Sequence, residues 1–136
     1  MRILLLAALL LGLATPALAA SLANTTIMTW DPGHGTQVEY YDGAGHSWLW
    51  YPGNRVVLPG QYKLQGDDIC FAYGGNTYNP VTGQRGGGWE CQNLKVEQQF
   101  TVDRSKGDVF HLKNARKVPF NLPPARTTIA KLLKAH

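Results

Sequence analysis

The feature that most constrains the fold is a series of short segments rich in β-branched and aromatic residues, separated by glycine, proline, asparagine and aspartate. The segments are TTIMTW, TQVEYY, HSWLWY, RVVL, QYKL, DICFAY, GWECQ, KVEQQFTV and DVFHLK. These residue types favour strands, and turn residues at such short intervals argue against any long helix among them. The pattern predicts an all-β fold, an antiparallel meander that forms a small barrel or sandwich.

Several turns are predicted from their residues. Asp42-Gly43 tolerates positive φ between two aromatic strands. Pro52-Gly53 and Pro59-Gly60 each stand at the centre of a four-residue segment typical of a type II turn. The strand predicted for KVEQQFTV has one polar face and one mostly apolar face, because its residues alternate.

The first residues are typical of a secretory signal peptide, with Arg2 followed by an apolar run and then Ala17-Leu18-Ala19. The run is shorter than the roughly 20 residues of a membrane span. We therefore expect residues 1–19 to be a signal peptide and the protein to be exported, periplasmic or extracellular, with no transmembrane segment. In an oxidising compartment the only cysteines, Cys70 and Cys91, are expected to form one disulfide.

Charge divides the chain into an acidic part and a basic part. Residues 20–103 hold four Lys and Arg against eight Asp and Glu, a balance of −4, whereas residues 104–136 hold eight against one, a balance of +7. We predict a β domain over residues 20–113 and a basic, proline-broken tail over 114–136, with a short helix capped by Thr127 or Thr128. Nucleic acid is not an expected partner. The residues expected to attract an anionic surface are Lys113, Arg116, Lys117, Arg126, Lys131 and Lys134.

The segment Asp31-Pro32-Gly33-His34-Gly35 resembles the opening motif of the zinc-dependent N-acetylmuramoyl-L-alanine amidases. The resemblance implies a zinc ligand at His34 and hydrolysis of peptidoglycan. Such a site needs a second histidine and a carboxylate around an open coordination position, and His46, His111 and His136 lack the sequence context of that second ligand. We favour a turn in which Asp31 bonds its own backbone, and we expect no metal or cofactor.

The long loop Gly74–Gly88 holds six glycines and is the best candidate for a binding surface. It lacks the lysine and the following helix of a phosphate-binding loop, and no serine has the context of a nucleophile elbow. The candidate binding residues in and beside the loop are Tyr73, Asn76, Tyr78, Asn79, Arg85 and Trp89.

The segments DGAGHSWLWYPGN, GQYKLQGDDICFAYG and YNPVTGQRGGGWEC together resemble an uncharacterised family of small exported alphaproteobacterial proteins that share I-C-F-x-Y and a later W-E-C. The resemblance covers roughly Gly35 to Cys91 and implies no known activity. A looser similarity of size, compartment and disulfide is to periplasmic lysozyme inhibitors, whose inhibitory loop has no match here.

The sequence as a whole favours a non-catalytic, envelope-associated binding or structural module whose partner is an unknown envelope protein or glycan. One alternative is a zinc-dependent cell-wall hydrolase that uses His34. A second alternative is binding to an anionic surface through the basic tail.

Overall fold

A computed structural model describes residues 22–136, so the predicted signal peptide lies outside the described residues. Seven strands form one antiparallel sheet in the order β6-β5-β4-β3-β2-β1-β7, and the sheet curves into a half-barrel. The all-β prediction is therefore confirmed. The strands are β1 (Thr25–Asp31), β2 (Gly35–Tyr41), β3 (His46–Trp50), β4 (Leu58–Gln65), β5 (Asp68–Tyr73), β6 (Glu90–Asn93) and β7 (Thr101–Lys106).

Two short helices flank the last strand. Helix α1 (Leu94–Gln99) joins β6 to β7, and helix α2 (Ile129–Ala135) ends the chain. Thr128 caps α2 through a hydroxyl that accepts a hydrogen bond from the Lys131 N–H at 3.2 Å, so the predicted C-terminal helix and one of its two predicted caps are confirmed. Neither these helices nor any other in the described part of the chain is long and apolar enough to cross a membrane.

Two predicted strands are wrong, because at each segment a side chain accepts hydrogen bonds from backbone N–H groups and stabilises a helical turn. In KVEQQFTV, the Asn93 side chain accepts from the Lys95 N–H at 3.0 Å and starts α1, so that only Thr101 and Val102 belong to a strand. In DVFHLK, the Asp108 carboxylate accepts from the N–H groups of Leu112 and Lys113, and a 3₁₀ turn forms over Leu112–Asn114.

Two further local predictions, for the segment after β3 and for the start of β4, are wrong. The segment RVVL contributes only an isolated bridge between Val56 and Lys117 before β4 begins at Leu58. Pro59-Gly60 lies inside β4 and forms no turn. The glycine is needed there for a close approach, because a Cβ at Gly60 would lie 2.7 Å from the Tyr73 ring. The turn predicted at Pro52-Gly53 is present, with Gly53 at φ 81°.

One face of the sheet is covered by the chain that follows β7. Strand alternation places Met28, Val38 and Trp50 on this face, each fully buried. Residues 108–136, here called the C-terminal layer, pack against it. The layer contributes Phe110, Leu112, Leu122, Ile129 and Leu132 to the core. Residues 114–136, predicted as a tail, therefore supply part of the main core.

The predicted disulfide is present and joins the edge of the sheet. Cys70 on β5 and Cys91 on β6 are directly opposite each other in the antiparallel pair. Their link closes a loop with a sequence separation of 21 residues, which contains the glycine-rich segment. By chain entropy it should stabilise the fold by about 3 kcal/mol.

Candidate binding cleft

The face of the sheet opposite the core of the C-terminal layer carries an open cleft, and Pro124 is the one residue of the layer that also lines it. It has two adjoining cavities of about 410 and 540 Å³. The strand residues Gln37, Leu49, Phe71 and Tyr73 line both of them, as does His34 from the turn after β1. These strand residues share one face because they lie at alternate or directly paired positions of β2, β3 and β5. The two cavities together are called the cleft below.

The glycine-rich loop forms a hairpin that makes one wall of the cleft. Tyr78 and Arg85 form an isolated antiparallel bridge, and the Arg85 guanidinium lies 5.5 Å from the centre of the Tyr78 ring. The Asn79 N–H donates to the Gln84 carbonyl at 2.8 Å. The Asn79 side-chain oxygen also accepts from the N–H groups two and three residues ahead, at 2.9 and 3.3 Å. These hydrogen bonds lie within the loop and contribute to its shape.

The turn after β1 fixes His34 against this hairpin. One oxygen of Asp31 accepts from the backbone N–H groups of Gly33 and His34 at 2.8 and 2.9 Å, which confirms the predicted turn. The other Asp31 oxygen lies 2.9 Å from His34 Nδ1, and Asn79 Nδ2 lies 3.3 Å from His34 Nε2. Because the Asn79 oxygen already serves two backbone donors, its NH₂ group faces the imidazole. His34 Nε2 must then accept, and Nδ1 carries the hydrogen.

The pKa of Asp31 reflects these contacts. Burial raises it, but the hydrogen bonds from the His34 backbone, the His34 ring and the Gly33 backbone outweigh burial and bring the pKa below its ordinary value. The carboxylate is therefore ionised at neutral pH and holds the imidazole in place.

A buried glutamate lines the larger cavity of the cleft. Glu39 is 9% exposed, and its two carboxylate oxygens accept from the hydroxyls of Tyr41 and Tyr73, each at 2.8 Å. Burial raises the pKa of Glu39 and raises those of both tyrosines well above the ordinary value. Ser47 also faces this carboxylate, but its fully buried hydroxyl makes no hydrogen bond of good geometry with a described residue.

The hydroxyl bond to Glu39 fixes Tyr73 beside a second ring. Phe71 and Tyr73 are two residues apart on β5, with ring planes 7° apart and centroids 6.2 Å apart. Both rings line the cleft and are partly exposed. We call this pair the aromatic platform.

Helix α1 brings a second glutamate to the larger cavity. Burial, followed by the nearby Glu39 charge, raises the pKa of Glu97 to about 7, although the hydrogen bond donated by the Gln92 side chain opposes the shift. Asp31 and Glu90 line the same cavity. Within residues 22–136, no three His, Cys, Asp or Glu side chains are grouped so that they could hold a metal ion.

Four of the six candidate binding residues meet at the cleft. Tyr73, Tyr78, Asn79 and Arg85 line the smaller cavity. Asn76 and Trp89 lie outside the lining described here, and the 45% exposed Trp89 ring instead lies 4.3 Å from Lys63 Nζ. The geometry brings these four side chains together, and their role in binding stays a prediction.

Sequence reasoning missed several groups of the cleft, above all Glu39 and Glu97. The available signal for Glu39 is a carboxylate directly between an apolar and an aromatic residue in the predicted strand TQVEYY. Glu97 had no such signal, because its segment was predicted to be a strand with this residue on the polar face.

Comparison with known proteins reveals no relative of this chain: no family model, no curated protein and no solved structure matches it. The resemblance to small exported alphaproteobacterial proteins therefore stays a prediction. Any functional interpretation depends on the geometry of the cleft itself.

Proposed function

We propose that the protein is a non-catalytic binding module of the cell envelope and that its cleft binds a short glycan segment. The observation that carries this proposal is the aromatic platform of Phe71 and Tyr73, which lies in one cleft with several planar polar side chains. A sugar ring has apolar C–H faces and polar hydroxyl edges, so it requires both kinds of surface at once.

The polar side chains of the cleft suit sugar hydroxyls. Gln37, Asn79 and Gln84 line the smaller cavity beside the platform. A primary amide offers both donors and an acceptor in one plane, and neighbouring hydroxyls of a sugar need both. The Asn79 oxygen already accepts two backbone N–H groups and one amide hydrogen faces His34, so Asn79 would offer a ligand its other N–H in a fixed orientation.

The size and rim of the cleft fit a small ligand. A volume of about 410 Å³ lies within the roughly 300–1,000 Å³ typical of small-molecule sites. Tyr78 stands at the rim with 52% of its surface exposed, where its ring could cover a second sugar unit. Export to the envelope would give the cleft access to glycan, but export is itself a prediction from the first 19 residues.

The state of Glu39 favours binding over catalysis. The side chain is 9% exposed and each of its oxygens already accepts a phenolic hydrogen bond, which favours a structural role over that of a base. Its structural role is to hold Tyr73 in the platform. The zinc hydrolase that uses His34 stays an untested alternative.

The proposal is tested by titrating the purified exported protein with soluble peptidoglycan oligosaccharides and, in parallel, with chitin oligosaccharides. We expect Tyr78→Ala to weaken binding about two- to tenfold, since an aromatic contact contributes about 0.5–1.5 kcal/mol beyond its buried area. Trp89→Ala is the matched control, because it removes an exposed ring outside the cleft. Equal losses in the two variants, or no binding to either glycan, would refute the proposal.

Turnover is measured in the same samples. We expect no release of sugar or peptide fragments from peptidoglycan. Elemental analysis of the same protein measures its zinc. Fragment release by protein that holds stoichiometric zinc, lost in His34→Ala, would support the zinc-dependent hydrolase instead of the binding module.

A further inference from the structure

The side of the molecule behind the sheet, opposite the cleft, is formed by the C-terminal layer and is rich in cations. The layer includes six of the eight basic residues between Arg104 and His136, with Asp108 as its one acid. All six are exposed and lie within residues 113–134. The Asp108 carboxylate accepts hydrogen bonds from the backbone N–H groups of Leu112 and Lys113.

These cations have almost no counter-charge on the protein. Within the described residues, Lys113 makes an ion pair with Asp42, at 3.9 Å, and no other basic residue of the layer makes one. The charge of each unpaired Lys or Arg is therefore not neutralised by a neighbouring carboxylate and can attract a binding partner. A concentration of free cations on one side of a small domain attracts a surface of opposite charge.

Two exposed aliphatic side chains stand among the cations. Val56 is 51% exposed, and it forms a bridge with Lys117 next to Arg55. The bridge is closed by hydrogen bonds from the Val57 N–H to the Arg116 carbonyl and from the Val118 N–H to the Arg55 carbonyl, both at 3.1 Å. Val56 is therefore paired with one cation across the bridge, and the flanking positions of the two segments hold two more, Arg55 and Arg116.

Helix α2 also presents an exposed apolar side chain between basic residues. Ile129 and Leu132 are buried against the sheet, whereas Leu133 is 48% exposed between Lys131 and Lys134. The buried pair fixes the helix on the core, so the two lysines and Leu133 are presented from a fixed support. Apolar side chains flanked by cations are typical of segments that lie on anionic membranes.

We propose that the outer side of the C-terminal layer docks on an anionic phospholipid surface and leaves the cleft facing away from it. Arg116 and Arg55 would bind lipid phosphates with two N–H groups each, and the lysines would act as point charges. Val56 and Leu133 would enter the headgroup region. This surface is independent of what the cleft binds.

Lipid fits the layer better than nucleic acid does. Binding to single strands uses exposed aromatic rings on which bases stack. The two phenylalanines of the layer serve the fold instead, because Phe110 is buried and the Phe120 ring packs against Trp50 at 4.8 Å and against His136 at 3.5 Å. The exposed apolar groups are aliphatic and suit acyl chains.

The test is co-sedimentation of the purified exported protein with vesicles of phosphatidylglycerol and phosphatidylcholine, and with vesicles of phosphatidylcholine alone. Mass spectrometry first establishes that no signal peptide remains. We expect binding only to the anionic vesicles, weakening steeply as salt rises. The salt series needs no substitution, so it remains informative if a variant fails to fold.

Two charge-matched double variants locate the surface. Arg116→Gln with Lys117→Gln should weaken vesicle binding about 30-fold, since each cation near an anionic membrane contributes about 1 kcal/mol, or about fivefold. Lys63→Gln with Lys95→Gln removes the same charge from exposed residues outside both the layer and the cleft and should change binding little. Leu133→Ser should weaken binding with no change of charge.

Several outcomes would overturn the inference. They are no binding to anionic vesicles, equal losses in the two double variants, or no effect of Leu133→Ser. Binding to a single-stranded oligonucleotide or an acidic polypeptide as tight as to the vesicles would replace the lipid with that partner.

Discussion

The two faces of the sheet are built from the same strands and yet have different character. On β2 and β3 the covered face carries Val38 and Trp50, both fully buried in an apolar core. Neighbouring positions of the same strands place Gln37, Glu39 and Leu49 on the cleft face. Alternation decides which residues share a face, and the chain after β7 covers one of the two faces. The other face buries a second apolar cluster that includes Ile27, Tyr41 and Ile69, and it keeps a carboxylate and an open volume beside that cluster.

The two Asp–His turns have the same internal contacts but different surroundings. In each, one aspartate oxygen accepts backbone N–H groups and the other lies near the histidine Nδ1, at 2.9 Å for Asp31 and His34 and at 3.0 Å for Asp42 and His46. Asp31 and His34 line the cleft. The Asp42 carboxylate instead lies 3.9 Å from the Nζ atom of Lys113 in the C-terminal layer. The same aspartate–histidine arrangement thus lines the cleft in one turn and contacts the C-terminal layer in the other.

The largest expected effect tests the covered face. Leu132→Ala should lower the free energy of unfolding by about 2–5 kcal/mol, because the side chain is 4% exposed in the core and its removal leaves a cavity. The adjacent Leu133→Ala, at a position that is 48% exposed, is the control and should cost less than about 1 kcal/mol. Urea unfolding of both variants measures the difference. Similar values would mean that the layer is not part of the cooperative fold.

On the cleft face, Tyr73→Phe should lower the free energy of unfolding by about 1–3 kcal/mol, the cost of leaving a buried polar group without its hydrogen-bond partner. The Tyr73 hydroxyl donates to the buried Glu39 at 2.8 Å. Tyr78→Phe removes a hydroxyl from an exposed ring and should change stability little. The comparison uses thermal unfolding at pH 8. If the two variants match, Glu39 does not hold the platform.

The pH dependence of stability should also arise mainly on the cleft face. Glu97 has its pKa raised from 4.5 to about 7, so the folded protein binds this proton more tightly than the unfolded chain. The free energy of unfolding should therefore fall as pH rises from about 4.5 to about 7 and level off above that range. Because the side chain is partly exposed, we expect a change of about 1–2 kcal/mol.

Glu97→Gln isolates this contribution. The variant should show a flatter profile between about pH 4.5 and 7 and should be more stable than the unaltered protein at pH 8. Urea midpoints across that range measure the profile. A slope equal to that of the unaltered protein would show that Glu97 does not titrate with a raised pKa.

Local patterns predicted much of the sheet. Segments such as TTIMTW and DICFAY are rich in β-branched and aromatic residues, and the Asp31 turn depends on its own side chain, so both could be inferred from the sequence. KVEQQFTV was misassigned because Val96 and Phe100 are four residues apart, a spacing that fits a helix as well as one face of a strand. The Asn93 cap decided in favour of the helix.

The cleft was less accessible to prediction, because its central groups depend on distant parts of the chain. Glu39 becomes a buried acceptor through Tyr73, 34 residues away in sequence. The pKa of Glu97 depends on burial and on the charge of Glu39, which lies on a different element. The loop residues could be found because unusual length and glycine content are visible locally, whereas long-range pairings of this kind have no local pattern.

The smallest expected effect separates the two Asp–His turns. Asp31→Ala and Asp42→Ala should each cost about 1 kcal/mol, because each removes a side chain that accepts two backbone N–H groups. Only Asp31→Ala should also release His34 from Asn79 and loosen the glycine-rich loop. Amide hydrogen exchange at residues 77–86 should therefore rise in Asp31→Ala and stay unchanged in Asp42→Ala. Equal exchange in the two variants would mean that the loop keeps its shape through its own hydrogen bonds and does not need the imidazole.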